Sequence, residues 1–173
     1  MLGSLGGPTR WNVLVPRKIN ILLWRIVDDW IPTRLNLRDK EIDLHSVLCP
    51  VCEEVGESST HIFLACADLV GLWRKVALWW GVIPLDLVSI NTLECWSETV
   101  RVDVETRRSF DVVVLITFWV IWNCRNNLLF GKNQIRKDEL FDEIRSMSYF
   151  WINNRRHKCK MLWDRWLSHP NMT

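Results

Sequence analysis

The sequence predicts an all-α fold, with a small N-terminal helical unit followed by a C-terminal unit of two to three helices. Apolar residues recur at the spacing of one helix face in three stretches, 19–30, 69–80 and 140–151. No hairpin-type turn is flanked by alternating apolar and polar residues. The predicted organisation is a first unit over 10–81, a connection over 82–104 and a tryptophan-rich helical C-terminal region over 105–167.

The first predicted helix lies between Pro16 and Pro32, because proline is tolerated just before a helix and ends one that precedes it. Its apolar face follows the i, i+3, i+4, i+7 spacing: Ile19, Leu22, Leu23, Ile26, Val27 and Trp30. Thr33 can accept a backbone hydrogen bond at a helix start, so it predicts a short second helix that extends through Arg38.

A third helix is predicted to begin at a cap within 58–60 and to continue to Gly81, a typical helix stop. His61 falls in its first turn and Cys66 follows five residues later. The apolar face consists of Leu69, Leu72, Trp73, Val76, Trp79 and Trp80.

The second half begins with the weakly patterned connection, in which we expect one short helix around Leu93 to Val100. A long helix is predicted from about Val104 to Phe130, and its middle is apolar on nearly every side, so it should be central. A last amphipathic helix is predicted from about Lys137 to Lys160. Its expected core face is Leu140, Phe141, Ile144, Met147, Phe150 and Trp151.

No membrane partner is predicted. The most apolar run, Val112 to Trp122, is much shorter than the roughly 20 residues that a bilayer core requires, so we expect a buried helix. The N-terminus lacks the charged start and apolar run of a signal peptide. Thiols that bind a metal would fit a reducing, intracellular compartment.

Four candidate metal ligands lie at the spacing C-x2-C-x8-H-x4-C: Cys49, Cys52, His61 and Cys66. Zinc (Zn²⁺) prefers four sulfur or nitrogen ligands at tetrahedral corners, and two cysteines separated by two residues form a knuckle that presents both sulfurs to one ion. Because protein side chains would fill all four positions, no vacancy is left for a catalytic water. The predicted zinc site is therefore structural.

A redox pair formed by Cys49 and Cys52 is the alternative, which would make the chain a thiol oxidoreductase. The third thiol and the histidine at ligand spacing favour zinc, as does the lack of a strand before the pair. Three thiolates and a neutral imidazole around zinc leave about one net negative charge. We therefore do not expect the ion itself to contact a nucleic acid.

The tryptophan content indicates a partner surface. Twelve tryptophans in a chain of 173 residues cannot all be fully buried in one small domain. Those at helical spacing are expected in the core: Trp24, Trp73, Trp79, Trp119 and Trp151. The remaining rings are candidates for a surface that another molecule covers.

Five blocks of the first half occur in a familiar order: PRKINILLWR, IPTRLNL, DLHSVLCPVC, ESSTHIFLAC and LWRKVALWW. Together they resemble the zinc-binding domain at the carboxyl end of reverse transcriptases of plant LINE-type (non-LTR) retrotransposons. The later stretches FWVIWNCRNNLLFGK and WINNRRHKCKMLWDRWL resemble the tryptophan-rich helix pair that follows this domain in many plant copies. The resemblance implies that the four clustered residues are the zinc ligands.

The sequence departs from a complete reverse transcriptase. Such an enzyme holds two magnesium ions on an acidic pair of the Y-x-D-D type. The only tyrosine, Tyr149, is followed by Phe150 and Trp151. The adjacent Asp28 and Asp29 are predicted to be solvated charges on the polar side of the first helix. We expect neither catalysis nor a small-molecule substrate.

The family resemblance implies binding of RNA or DNA and residence in the nucleus. Nucleic-acid binding needs basic groups for phosphates and exposed aromatic rings for unpaired bases. The candidates are Arg17, Lys18, Arg34, Arg38, Arg155, Arg156, Lys158 and Lys160. Each basic cluster could equally be an ordinary solvated helix face. The alternatives are a structural module that docks on a reverse transcriptase polymerase domain or another protein, and a decayed remnant without function.

Overall fold

The computed structural model describes residues 11–84, 89–90, 92, 96–131, 136–156 and 160–171. The α-helices in these residues are α1 Arg17–Val27, α2 Arg34–Arg38, α3 Val70–Trp80, α4 Trp96–Thr99, α5 Val104–Phe130, α6 Leu140–Arg155 and α7 Trp163–Ser168. A π-helical turn, His61–Ala65, precedes α3, and a 3-10 turn, Lys137–Glu139, precedes α6. The described residues contain no strand, only an isolated bridge between Leu48 and Gly56. The all-α prediction is confirmed.

The long helix α5 forms the centre of the fold. Helices α1, α3, α4 and α6 and the π turn all pack against it. Its buried side chains lie on nearly every side, as the sequence predicted, and its bounds match the prediction. The helix begins at Asp103, whose carboxylate accepts hydrogen bonds from the amides of Glu105 and Thr106 at 2.9 and 3.0 Å.

The same helix has the length and the hydropathy that a membrane span would require. However, 61% of its most apolar window is buried inside the structure. The other helices cover its apolar side chains, and this is the arrangement of a core helix.

One cluster of buried apolar side chains extends from Leu14 to Trp166. Edge-to-face ring contacts cross the boundary between the two predicted units: the ring of Phe63 lies 5.3 Å from that of Phe118, and Phe118 lies 5.2 Å from Trp73. The core is therefore continuous between the zinc-binding part and the C-terminal helices. We expect the two parts to fold together, while the boundaries 10–81, 82–104 and 105–167 stay predictions.

Helix α1 ends earlier than the sequence predicted, and Trp30 lies outside it. The amide of Trp30 donates to the carbonyl of Arg25 at 2.7 Å, and the amide of Asp29 donates to that of Ile26 at 3.1 Å. Asp29 has a φ of 55°, so the chain leaves the helix in a Schellman turn without a glycine. Trp30 is 61% exposed as a result, and the prediction that placed it on the apolar face is wrong.

The short helix α2 begins where the sequence predicted. The Thr33 hydroxyl accepts a hydrogen bond from the amide of Asn36 at 3.3 Å. The helix predicted from the 58–60 cap to Gly81 is instead two segments, because Cys66 is extended, with a ψ of 122°, and α3 begins only at Val70. Gly81 ends α3 with a φ of 75°, which confirms the predicted stop.

The C-terminal helices differ from the prediction. Helix α6 ends at Arg155 rather than Lys160. The Asn153 side chain accepts a hydrogen bond from the amide of Met161 at 3.0 Å and donates one to its carbonyl at 2.9 Å, so Met161 is bound to the last turn of α6. Helix α7 was not predicted. The buried face of α6 is Leu140, Ile144, Ser148 and Ile152, whereas Phe150 is 52% exposed. In the connection, the predicted helix around 93–100 corresponds to α4, and 93–95 lie outside the described residues.

The tryptophans divide between core and surface, as the composition required. Trp73, Trp80, Trp96, Trp122 and Trp166 are buried, and Trp79, Trp119 and Trp151 are half-buried. The exposed rings are Trp11, Trp24, Trp30 and Trp163. Of the rings expected in the core, only Trp24 is exposed.

Candidate metal centre

The knuckle that carries Cys49 and Cys52 is built from backbone hydrogen bonds. The amide of Cys49 donates to the carbonyl of Val55 at 2.7 Å, and the amide of Glu57 donates to that of Val47 at 2.9 Å. These bonds pair the chain before the first cysteine with the chain after the second. The amide of Glu53 donates to the carbonyl of Cys49 at 2.8 Å and closes the turn. Both thiols therefore lie on a fixed loop.

The π-helical turn explains how His61 and Cys66 reach the same site. In an α-helix, residues five apart are separated by about 140° around the axis and point in different directions. Here the amide of Cys66 donates to the carbonyl of His61 at 2.7 Å, a bond that spans five residues, and Cys66 itself is extended. The wider turn and the extended residue bring both side chains to the knuckle.

The four side chains form one compact cluster. The ligand atoms of Cys49, Cys52, His61 and Cys66 all lie within 4.8 Å of one another. Cys52 Sγ is 3.4 Å from His61 Nε2. Zinc bonds of about 2.3 Å to sulfur and about 2.1 Å to nitrogen place these two atoms roughly 3.6 Å apart at tetrahedral corners. The donor set and its spacing fit zinc, and all four positions come from protein.

The protonation of the thiols also suits a cation. A hydrogen bond from the Cys66 thiol, aided by the amides of Cys52 and Val51, lowers the pKa of Cys49 to about 5. Its hydrogen bond to Cys49 and its burial raise the pKa of Cys66. Cys49 therefore favours the thiolate form before any metal binds. A coordinated divalent cation would deprotonate the remaining thiols.

Glu53 occupies a strained position in the knuckle, with a φ of 59°. An L-residue in this left-handed region costs about 1–2 kcal/mol, which glycine avoids. We expect Glu53→Gly to raise the free energy of unfolding of the zinc-loaded protein by about 0.5–1 kcal/mol in urea denaturation, after glycine's greater freedom in the unfolded chain is included.

The matched control is Glu54→Gly. Glu54 is the next exposed residue of the same loop, and its φ is not positive. This substitution should lower stability by about 0.5–1 kcal/mol, because glycine adds only unfolded-state freedom there. Equal effects from the two substitutions would contradict the proposed strain.

A buried ion pair joins the knuckle loop to α5. Arg125 Nε and Nη2 donate to the two carboxylate oxygens of Glu57 at 2.7 and 2.8 Å, and the two side chains are 3% and 0% exposed. Arg125 also donates to the Pro32 carbonyl at 3.0 Å, and the amide of Arg34 donates to Glu57 at 2.8 Å. This bidentate pair therefore fixes the zinc loop, the start of α2 and the central helix together.

Sequence reasoning missed this pair, because Glu57 looked like one more polar residue of the loop. The nearest signal was Arg125, the only charged residue of α5 after Asp111. Lys137, from the turn before α6, was missed as well. Its ammonium donates to the Val51 carbonyl at 2.8 Å and pairs with Asp68, which raises the pKa of Lys137. A cation here lies beside a site of net negative charge.

The predicted nucleic-acid contacts at the start of α1 and at the end of α6 lie near each other. Arg17 and Lys18 are exposed, and the Lys18 ammonium lies 4.6 Å from the centre of the Trp119 ring. Arg155 donates to the carbonyls of Val13 and Val15, just before α1, at 3.0 and 2.9 Å. These two basic clusters therefore share one end of the fold.

The other predicted basic contacts are distributed over the fold. Arg156 is half-buried and donates to the Glu105 carbonyl and to the Ser109 hydroxyl, both at 2.9 Å. Arg38 pairs with Asp39 at 2.8 Å. Arg34 donates to the Leu48 carbonyl at 2.7 Å. Lys160 is exposed, and Lys158 lies outside the described residues.

Asp29 has a structural role. Its backbone ends α1. Its carboxylate accepts hydrogen bonds from the Ser59 hydroxyl and from the side-chain amide of Asn36. Its backbone carbonyl accepts a second hydrogen bond from the same side-chain amide. It therefore connects α1, α2 and the segment before His61. Asp28 is exposed and caps the C-terminal end of α1.

Comparison with known families identifies the N-terminal part of the chain. Residues 7–73 match the family described as zinc-binding in reverse transcriptase, and the match includes all four ligands. The comparisons with curated proteins and with solved structures give no match. Residues 7–73 are thus similar to a reverse-transcriptase zinc-binding domain, and the match covers no polymerase catalytic domain.

Proposed function

We propose that this chain is a non-catalytic nucleic-acid-binding module, built around a structural zinc and derived from the reverse transcriptase of a plant LINE-type (non-LTR) retrotransposon. Its main support is the family match, which centres on a closed set of four protein ligands. A closed site has no open position for a substrate or a catalytic water, so the ion acts on folding rather than on chemistry. Intracellular residence in the nucleus is part of this proposal.

Exposed basic and aromatic groups support the binding role. Single-stranded nucleic acids are held by cationic side chains at the phosphates and by aromatic rings at the bases. Arg17, Lys18 and Lys160 have exposed side chains, and Trp11 is exposed on the segment just before α1. Because the zinc cluster carries net negative charge, these surface groups rather than the ion would contact the phosphates.

A salt series tests this function. We expect purified, zinc-loaded protein to bind a labelled single strand of about 12 nucleotides, a length within the site sizes of known single-strand binders. The logarithm of the affinity should fall linearly with the logarithm of the salt concentration, by about 0.7 for each phosphate that is neutralised. Fluorescence anisotropy would provide the measurement. Absence of binding at low salt would contradict the proposal.

A second candidate function is docking on a reverse transcriptase polymerase domain. The rings of Trp24 and Trp30 pack edge-to-face at 5.1 Å, and both are exposed, as is Ile21 on the same helix as Trp24. Burial of such a patch by a protein would depend little on salt, in contrast to phosphate contacts. A salt-independent complex with a purified polymerase domain, which Trp24→Ala weakens, would favour this second function.

A further inference from the structure

An open groove of about 700 Å³ lies between α1, α2 and the C-terminal end of α5. Leu22 and Arg25 of α1 line this groove, together with Arg34 and Leu37 of α2. The last turns of α5 close the third side and end at Phe130. Glu57 of the zinc loop pairs with Arg125 of α5 and accepts a hydrogen bond from the amide of Arg34 at the start of α2, so it fixes α2 to α5.

The charge of the groove is positive. Among the described residues that line it, three are arginines, one is His45, and none is Asp or Glu. Glu57 neutralises Arg125, so the unbalanced charges are those of Arg25 and Arg34. One guanidinium nitrogen of Arg34 donates to the Leu48 carbonyl at 2.7 Å. This bond holds the head group in place and leaves further N–H donors for an anion.

The walls of the groove are mostly apolar, and an aromatic ring stands at its rim. Phe130 is 79% exposed at the end of α5, where the helix stops at Gly131. A large apolar side chain this exposed contributes little to the core of the protein. Its ring lines the same groove as the cationic side chains of Arg25 and Arg34, and cationic and aromatic side chains together hold phosphates and unpaired bases.

We propose that this groove binds an unpaired segment of a single-stranded polynucleotide, with Arg25 and Arg34 at the phosphates and Phe130 stacked on a base. The inference rests on the proposed nucleic-acid binding and assigns it to a site. A duplex is a poorer occupant, because its base faces are already stacked and it would offer only phosphates to an apolar groove. Of the basic residues that were predicted from sequence and that the structure describes, only Arg34 lines the groove.

Two exposed side chains of the groove allow a test that leaves the fold intact. Phe130→Ala should weaken binding of a single strand of about 12 nucleotides by about fivefold or more, because one stacked base is lost. The salt slope should not change. Arg25→Gln should weaken binding and also reduce the salt slope by about 0.7, because one phosphate contact is lost.

Matched controls lie outside the groove. Arg74 is an exposed arginine on α3, and Phe150 is an exposed phenylalanine on α6. Arg74→Gln and Phe150→Ala should change the affinity less than twofold and leave the salt slope as it is. Circular dichroism and zinc content verify that all four variants are folded. Oligo-U and oligo-dT strands are compared in parallel with a duplex of the same length.

The outcomes separate the site from the function. Selective weakening by the two groove variants, with tighter binding of the single strands than of the duplex, is the expected result. If the unmodified protein binds but the groove variants behave like their controls, the groove assignment is overturned and the nucleic-acid function stands. If the unmodified protein binds no strand at low salt, the proposed function fails and the assignment fails with it.

Discussion

Replacing one zinc ligand, as in Cys66→Ala, is expected to abolish cooperative folding of the zinc-binding part together with the helices packed on it. Structural zinc contributes about 10–16 kcal/mol in small zinc-dependent domains. A typical domain has a total stability of about 5–15 kcal/mol. Loss of the ion would therefore exceed or match the whole free energy of unfolding.

The effect should spread beyond the knuckle because the core is continuous. Cys66 is fully buried where the π turn ends, and Phe63 of that turn packs on Phe118 of α5. When the turn loses its ion, α5 loses one of the surfaces that cover its apolar side chains. We expect the near-ultraviolet tryptophan signal and the cooperative thermal transition to disappear together.

Cys124→Ala is the control for this experiment. Cys124 is also a buried thiol, and burial raises its pKa to about 11, but it lies outside the ligand cluster. Its substitution should cost about 1–2 kcal/mol, as is usual for a small change in a core, and should keep the zinc. A Cys66→Ala protein with the same transition midpoint as Cys124→Ala would contradict the structural role of the site.

Breaking the buried ion pair is expected to have the second-largest effect. Glu57→Gln should lower the free energy of unfolding by about 3–5 kcal/mol, because the guanidinium of Arg125 would remain buried without a counter-charge. Both side chains are almost completely inaccessible, so water cannot compensate. Urea denaturation followed by circular dichroism would measure this loss.

A double substitution distinguishes the pair from either residue alone. Glu57→Gln combined with Arg125→Met removes the unpaired charge, so the double variant should be more stable than Glu57→Gln. Asp39→Asn is the exposed counterpart, since its pair with Arg38 lies in solvent. It should change stability by less than about 1 kcal/mol. If the double variant lost as much stability as Glu57→Gln and Arg125→Met lose separately when added together, the two buried side chains would not interact, and this account would be contradicted.

The periodicity of apolar residues and the spacing of the candidate ligands were sufficient to predict the main elements of the fold and the metal site. The apolar repeat located α1, α3 and α6, the apolar middle of α5 marked it as central, and the spacing of Cys49, Cys52, His61 and Cys66 located the metal site. These features are local in sequence. A helix face or a knuckle is encoded within about ten to twenty residues, so a single chain is enough to predict it.

The features that sequence reasoning missed depend on specific backbone exceptions or on distant contacts. Asp29 ends α1 in the left-handed region although it is not a glycine. The π turn at His61 replaces an α-helical turn because both ligands must reach one ion. Glu57 and Arg125 are separated by 68 positions, and Lys137 reaches Val51 across 86. No local pattern contains such pairs.

The most direct test of the account is the zinc content of the purified protein, measured together with thiol titration before and after a chelator. We predict one zinc per chain, with the thiols of Cys49, Cys52 and Cys66 protected until the chelator removes the ion. No bound metal, with these three thiols freely reactive in the folded protein, would contradict the structural zinc site on which the proposed function depends.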